Sequence, residues 1–297
     1  MRLGPDIDDL LAKAEAPASQ ADLDRLTRLV RDSLGIDLRP FKSAVVRQRL
    51  SHRIKELGLA GMGEYLDVLE GPDTSGERDK LISAITTNVT QFFREAHHFD
   101  LLAREVLPDL LDHARAGGRV RIWSAGCSSG QEPFSIAACI LDLCPEAPRL
   151  DVKILATDVD AAVLTQARQG IYSGEEIQKL SQARRTALFG ESVARDRLTI
   201  RPDVAGLVAF KRLNLVDPWP MRQAFDVIFC RNVAIYFDAD LREQLWQRFV
   251  AALSARGRLF VGHSERILGP ALAMLEHAGV TTYRKCSGPP SAPQSGP

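Results

Sequence analysis

IWSAGCSSGQEP, residues 122–133, decides how the rest of the chain reads. An apolar run, Arg119 to Ser124, is followed at once by a glycine-containing turn from Ala125 to Gly130, and then by a helical pattern beginning near Pro133. A strand that empties into a Gly-x3-Gly turn and re-emerges as a helix is the first unit of an α/β sheet. Glycines at such a turn bring backbone N–H groups and little side-chain bulk to the place where a ligand rests. The same rhythm recurs downstream. Asp151 to Thr157 (DVKILAT), Phe225 to Cys230 (FDVIFC) and Gly257 to Gly262 (GRLFVG) read as further strands, the first ending in Asp158 and the second in Arg231 and Asn232. Strands alternating with helices predict a parallel sheet covered on both faces, with ligands at the carboxyl ends of the strands.

Upstream the pattern is purely helical. Ser19 and Asp22 resemble a capping box, and Leu23, Leu26, Leu29, Val30 and Leu34 recur at helical spacing until Gly35 offers a stop. Further helices are expected from about Pro40 to Leu57, Gly63 to Leu69 and Glu77 to Thr86, with a surface turn over Gly71–Gly76. The domain reading is a flexible arm at 1–18, a helical domain at 19–85, a linker and helix at 86–118, an α/β domain at 119–286 and a disordered Pro/Ser/Gly tail at 287–297. Within the α/β domain, a helical piece near Glu175–Leu188 and two runs, Leu198–Arg201 and Leu207–Leu213, predict a small antiparallel β insertion at about 172–213. No internal repeat is visible.

Composition bounds the function. The 297 residues are 45% hydrophobic and 26% charged, as in ordinary globular proteins, and 38 Lys plus Arg balance 38 Asp plus Glu. A net charge of zero argues against a partner such as nucleic acid or an anionic membrane held by whole-molecule charge. The sequence has no run of ~20 apolar residues and its first ten residues carry acids, so a cytoplasmic location is expected. Five cysteines in no metal-site spacing read as reduced, mostly packing thiols, Cys127 among them. His97 and His98 are adjacent rather than at i, i+4, so no metal is expected there, and Trp219 between two prolines reads as a loop anchor.

The turn at 126–130 has neither the three glycines of a dinucleotide fingerprint nor the G-K-[ST] of a P-loop. Glu132 places a carboxylate where a phosphate would be repelled, and Asp158 stands where an acid accepts hydrogen bonds from ribose hydroxyls. A nucleoside with a cationic group and no phosphate describes S-adenosylmethionine.

Six stretches carry a closer likeness: TTNVTQFFREAHHF (Thr86–Phe99), IWSAGCSSGQEPFSIA (Ile122–Ala137), ILATDVD (Ile154–Asp160), LNLVDP (Leu213–Pro218), FDVIFCRNVAIYFD (Phe225–Asp238) and GHSE (Gly262–Glu265). In this order and spacing, over roughly residues 20 to 285, the chain resembles the chemoreceptor glutamate methyltransferases, the CheR family. The resemblance implies an all-helical N-terminal domain, a Rossmann-like S-adenosylmethionine domain and an inserted β-subdomain. It implies that Asn88, Thr90, Arg94, Glu132, Asp158, Asn214, Leu215, Arg231 and Asn232 bind the cofactor, and that Arg94 and Tyr236 orient the acceptor or the reacting end of the cofactor. The plain alternative is that Arg94 ties the domains together and Tyr236 packs. The family often has two acids before the Pro of the glycine-turn motif; here the first is Gln131, which is left out of the site.

The second helix bears Arg39, Lys42, Arg47, Arg49, Arg53 and Lys55 with no acid before Glu56, and Lys42, Arg49 and Arg53 fall within a stripe of about 40°. Charge runs are usually solvated surface. By the resemblance, however, Lys42, Arg49, Arg53 and Lys55 dock the acidic helical bundle of a chemoreceptor, and the β insertion binds a tether peptide at the receptor C-terminus in some members. The implied activity is methylation of receptor glutamates to methyl esters, with S-adenosylhomocysteine as the second product. A methyltransferase of the same fold acting on another protein or a small acid, and a non-catalytic cofactor-binding scaffold, are the rival readings.

Overall fold

The computed structural model describes residues 19–38, 43–72, 75–86, 88–194 and 196–286. The expected arm at 1–18 and tail at 287–297 lie outside the described residues, as do Arg39 and Lys42. The chain divides into two compact units, one comprising residues up to Thr87 together with Tyr236–Asp238, the other comprising Asn88–Ile235 and the residues from Ala239 on.

The first unit is helical. Helix α1 (Gln20–Leu34) opens on the capping box: the Ser19 hydroxyl accepts the Asp22 N–H at 3.1 Å, and the Asp22 carboxylate accepts the Ser19 N–H at 3.3 Å. It ends at Gly35, whose φ of +70° is the left-handed conformation that a Cβ would strain. Leu26, Val30 and Leu34 recur every four residues and are buried, together with Leu50 and Ile54 of α2 (Ser43–Glu56), Tyr65, Leu66 and Leu69 of α3 (Met62–Glu70), and Leu81, Ile82 and Ile85 of α4 (Ser75–Ile85). Ion pairs link the helices of this bundle: Arg25 of α1 meets Asp67 and Glu70 of α3 at 2.8 and 2.7 Å. Arg53 of α2 grips Glu77 of α4 bidentately at 2.8 and 2.7 Å, and Tyr65 donates to the same carboxylate at 3.1 Å. The Arg53 guanidinium holds the Glu77 carboxyl below its usual range. The short segment Tyr236–Asp238 belongs to this unit. The Tyr236 carbonyl accepts the Asp37 N–H at 2.8 Å, Phe237 bridges Ile36, and Asp238 pairs with Arg31 at 2.9 Å.

The second unit begins with a helical stretch, α5 (Ala96–Leu101), a π-helical turn (Leu102–Val106) and α6 (Leu107–Arg115). Strand β1 (Val120–Ala125) then leads through the glycine turn into α7 (Gln131–Leu143), and β2 (Val152–Asp158) leads into α8 (Ala161–Gln169). Next come β3 (Ile171–Ser173), α9 (Gly174–Ile177), α10 (Gln182–Leu188), β4 (Phe189–Ala194), β5 (Arg197–Ile200), α11 (Pro202–Ala205) and β6 (Val208–Arg212). The chain finishes with β7 (Phe225–Cys230), α12 (Ala239–Ala252), β8 (Leu253–Val261), α13 (Pro270–Ala273), β9 (Leu275–Gly279) and β10 (Thr282–Lys285). The large sheet runs β6-β2-β1-β7-β8-β10-β9. Its first five strands are parallel and β10 and β9 close the edge antiparallel, so this is a Rossmann-like mixed sheet.

Two expectations need correction. The sheet is not wholly parallel, because β9 and β10 form an antiparallel edge. The run Leu207–Leu213, expected in the β insertion, instead supplies β6, which pairs parallel to β2 in the large sheet with Val208 opposite Ile154. The inserted sheet is β3-β5-β4, entirely within 171–200. Local alternation sets which way side chains face but not which strand a run pairs with. Here α11 turns the chain between β5 and β6, and the Leu207 carbonyl accepts the Ile154 N–H at 2.8 Å.

The register positions the site. Ala125 lies opposite both Thr157 and Cys230, and Cys230 lies opposite Val261, so β1, β2, β7 and β8 end side by side. The segments that follow them, 126–130, 158–160, 231–234 and 262–265, therefore share one edge.

Candidate functional site

At this edge buried carboxylates organise backbone and cation alike. Asp158, nine-tenths buried at the end of β2, accepts the Ser128 N–H at 2.8 Å and the Asp160 N–H at 3.0 Å, one on each oxygen. Burial pushes its carboxyl up, against these backbone bonds. Asp160 caps α8 through the Ala162 N–H at 2.9 Å and receives the Asn88 amide at 2.8 Å. The turn is fixed from behind, because the N–H groups of Gly126 and Cys127 both donate to the Thr157 carbonyl, at 2.8 and 2.9 Å. Gly130 at the foot of α7 has φ +96°.

Arg231 is the central cation. Its side chain is buried, with Nη1 3.5 Å from Glu132 and Nη2 3.5 Å from Glu95, and Nη2 also donates to the Arg94 carbonyl. Glu132 additionally accepts the Ser124 hydroxyl at 2.7 Å. Burial pushes the Glu132 carboxyl up although the guanidinium opposes it. At Glu95 burial acts in the same sense, yet Arg231 and His263, whose Nδ1 is 3.0 Å away, outweigh it and leave the carboxyl lowered. Arg231 Nε and Nη1 and Asn232 Oδ1 are buried and make no hydrogen bond. Asn232 itself has φ +60°. Among the described residues, four of the six non-glycine residues with positive φ (Phe93, Glu95, Ser128 and Asn232) belong to segments bordering this site. Strain of this kind, of order 1–3 kcal/mol each, gathers where function constrains the chain.

The structure brings Asn88, Arg94, Glu132, Asp158, Arg231 and Asn232 into this connected set. Arg94 donates to the Val89 carbonyl at 3.0 Å, and Thr90 lies half-buried in the same 88–95 segment. Asn214 and Leu215 follow β6. The Asn214 side chain accepts the Val216 N–H at 3.3 Å, and the Leu215 carbonyl accepts Arg248 at 2.6 Å and the Trp219 indole at 3.1 Å. Trp219 thus anchors this loop, with Arg248 over its ring at 4.2 Å. Tyr236 falls in the helical unit. Of the docking residues, Lys55 is exposed and Arg49 is exposed with its guanidinium on the Ala84 and Thr86 carbonyls at 3.1 and 3.0 Å. Arg53 is held by Glu77 and Glu56 rather than presented outward.

The residue reading gave no role to Glu95, Ser124, Ser128, Asp160 or Glu265, all of which hold this edge together. Glu95 and Glu265 sit in the stretches REAHHF and GHSE, whose one signal in the sequence is the family likeness. Glu95, His97 and His98 also bring potential metal-ligand atoms within 4.8 Å of one another, but Arg231 already supplies the balancing cation to that carboxylate. The Cys127 and Cys230 thiols are buried and pushed well above their usual range, so neither is a nucleophile at neutral pH.

His98 gives the edge a pH response. It is fully buried, with Nε2 3.1 Å from the Val280 carbonyl and 2.8 Å from the Thr281 hydroxyl, and burial lowers its imidazole to about 4. An imidazole lowered in the fold stays neutral while the unfolded chain takes up a proton near pH 6.5, so stability falls as pH drops from there toward 4. Urea unfolding at pH 7 and pH 5 should differ by about 2 kcal/mol from this residue alone. A His98→Gln protein with the same pH slope as wild type would contradict the assignment.

Residues 88–283 match the family described as "CheR methyltransferase, SAM binding domain", and residues 21–86 match "CheR methyltransferase, all-alpha domain". A "Probable chemotaxis protein methyltransferase" of Rhizobium etli is 45% identical over 258 residues, covering 86% of this chain and 96% of the relative. The "Chemotaxis protein methyltransferase" of Escherichia coli strain K12 is 42% identical over 251 residues, 83% of this chain and 85% of the relative. That of Borreliella burgdorferi is 38% identical over 269 residues, 89% and 94% of the two chains.

Proposed function

The chain belongs to the CheR methyltransferase family and uses S-adenosylmethionine, and from that premise we propose that it methylates glutamate side chains of chemoreceptors to glutamyl methyl esters. Family membership supports the glutamate acceptor, and the observation that supports the cofactor half of this reading is the polar complement at the carboxyl edge of the sheet. Arg231 Nε and Nη1 are buried donors without hydrogen bonds, and Asn232 Oδ1 is a buried acceptor without one. They suit a ligand bearing both a carboxylate and an ammonium, as the amino-acid end of the cofactor does. Asp158 accepts backbone N–H groups on both oxygens, and its remaining acceptor capacity suits ribose hydroxyls. Asn88, Thr90, Arg94, Glu132, Asn214 and Leu215 complete the proposed cofactor site.

When bound, the cofactor supplies an electrophilic methyl group and leaves as S-adenosylhomocysteine. The acceptor glutamate, with an ordinary pKa of ~4.3, is already ionised at neutral pH, so the protein has no proton to remove. This accords with two site cysteines held as inert thiols and a site built from hydrogen-bonding and charged groups. What the chain must do is hold the reacting groups in line and exclude water from the acceptor carboxylate. Arg94 is assigned to orienting the reacting groups.

Receptor docking is assigned to α2, through Arg49 and Lys55 in particular, with Lys42 just before it. Arg53 serves the helical unit through Glu77. Arg49→Glu should raise the receptor KM about tenfold at low salt, less at high salt, with S-adenosylhomocysteine affinity unchanged. Loss of cofactor affinity in that variant would make the residue structural. The activity itself is tested by mass spectrometry of a purified receptor cytoplasmic fragment after incubation with the protein and cofactor. One methyl group should appear on glutamate residues; modification of lysine, or none, would favour the rival readings.

A further inference from the structure

The stretch GHSE at the end of β8 has no assigned part in the reaction, yet its glutamate is among the most completely satisfied buried carboxylates of the described residues. Glu265 is 2% exposed. Its Oε2 accepts the N–H groups of Asn232 at 2.8 Å and Gly262 at 2.6 Å. Its Oε1 accepts those of Val233 at 3.0 Å and Ala234 at 2.7 Å. Burial pushes the carboxyl up and the four N–H groups oppose it. Three consecutive amides converging on one carboxylate define the turn in which Asn232 takes its positive φ.

The fit around this turn is tight on two sides. A Cβ on Gly262 would stand 2.8 to 2.9 Å from Asn232 N, Asn232 Nδ2 and Glu265 Oε2, so only glycine lets β8 approach the turn. On the other side a Cβ on Gly126 would fall 2.2 Å from Val233 Cγ2, so Val233 rests directly on the glycine turn. The loop after β7, the end of β8 and the turn after β1 thus meet around Glu265.

We propose that Glu265 is a positioning residue of the cofactor site: its carboxylate preforms the 232–234 turn, and so presents Asn232 and seats Val233 against Gly126 before any ligand arrives. The proposal rests on the assignment of Arg231 and Asn232 to the cofactor. Preformed polar groups spare the ligand the cost of ordering them, so losing the clamp weakens binding without removing a single ligand contact.

Glu265→Gln is nearly isosteric but turns two of the four acceptor contacts into donor–donor contacts, whichever way the amide faces. Calorimetry with S-adenosylhomocysteine, at a temperature where the variant is folded, should show affinity at least tenfold below wild type. Leu111→Ala, a core change in α6 that lowers the melting temperature by other means, should bind within twofold of wild type. Glu265→Gln binding within threefold of wild type, or Leu111→Ala losing as much affinity as Glu265→Gln, would overturn the proposal. Should Glu265→Gln fail to fold, Gly262→Ala tests the same clamp from the opposite side, with the same tenfold loss expected. Wild-type protein also reports directly: the amides of Asn232, Val233 and Ala234 should exchange slowly with no ligand present. Fast exchange that slows only on adding S-adenosylhomocysteine would mean the turn is not preformed. Wild-type protein that bound no S-adenosylhomocysteine would instead remove the underlying cofactor assignment, an outcome distinct from the others.

Discussion

Asp158→Ala protein should bind S-adenosylhomocysteine at least 100-fold more weakly than wild type, and its methyltransferase activity should fall below detection at micromolar cofactor. The carboxylate is asked to do two things. Toward the protein it accepts the Ser128 and Asp160 N–H groups at 2.8 and 3.0 Å, tying the glycine turn to the loop after β2. Toward the ligand, in the proposed cofactor site, it would offer its remaining lone pairs to the ribose. Hydrogen bonds to a charged group are worth about 1.5–3 kcal/mol each, so losing two ribose bonds alone accounts for about 3 kcal/mol, the free energy of a 100-fold change. Removing the carboxylate also orphans two N–H groups at a nine-tenths-buried site, which should lower stability by about 2–4 kcal/mol. Asp158→Asn keeps one oxygen acceptor and should fall between the two proteins. Isothermal titration, paired with urea unfolding, separates the two effects. A folded Asp158→Ala protein with wild-type affinity would take Asp158 out of the cofactor site.

Gly126→Ala is expected to have the second large effect. Gly126 has φ +80°, which costs an L-residue about 1–2 kcal/mol, and its new Cβ would overlap the Val233 side chain at 2.2 Å. Val233 cannot simply retreat, because its own N–H is held by Glu265 at 3.0 Å. The combined cost should reach about 3 kcal/mol of stability, with a tenfold or greater loss of cofactor affinity. Val233→Ala in the same chain removes the overlap and leaves the backbone strain, so the double variant should recover about half of the loss. Additive behaviour of the two substitutions, with no recovery, would show that the two loops do not press on each other.

Much of this arrangement is legible in the residues themselves. The capping box at Ser19 and Asp22, the stop at Gly35 and the Gly-x3-Gly turn are local devices, and each forms where its sequence places it. The place of Asp158, Arg231 and Asn232 at the carboxyl edge of the sheet is legible because each stands at the end of a short apolar run. Pairing is less accessible. Nothing in the run VAFKR says whether it will lie parallel to β2 or in the small antiparallel sheet. That choice is made by α11 and by burial against the main core. The edge strands β9 and β10 are short and interrupted by a bulge, which weakens their alternation. Glu265 escaped a role for a related reason: its four partners are backbone N–H groups, and backbone leaves no trace in a list of side chains. Arg53 shows the converse. Its place in a cationic stripe suggested an outward-facing charge, whereas Glu77, on a different helix, claims it.

The most direct measurement uses cofactor carrying a tritiated methyl group, a purified receptor cytoplasmic fragment and this protein. A glutamyl methyl ester releases its label as volatile methanol on brief treatment with alkali, and it does so from wild-type receptor and not from receptor whose acceptor glutamates are replaced by alanine. That is the expected result. Label that stays on the receptor through alkali, or label that never reaches it while cofactor still binds, would contradict glutamate O-methylation as the activity of this chain.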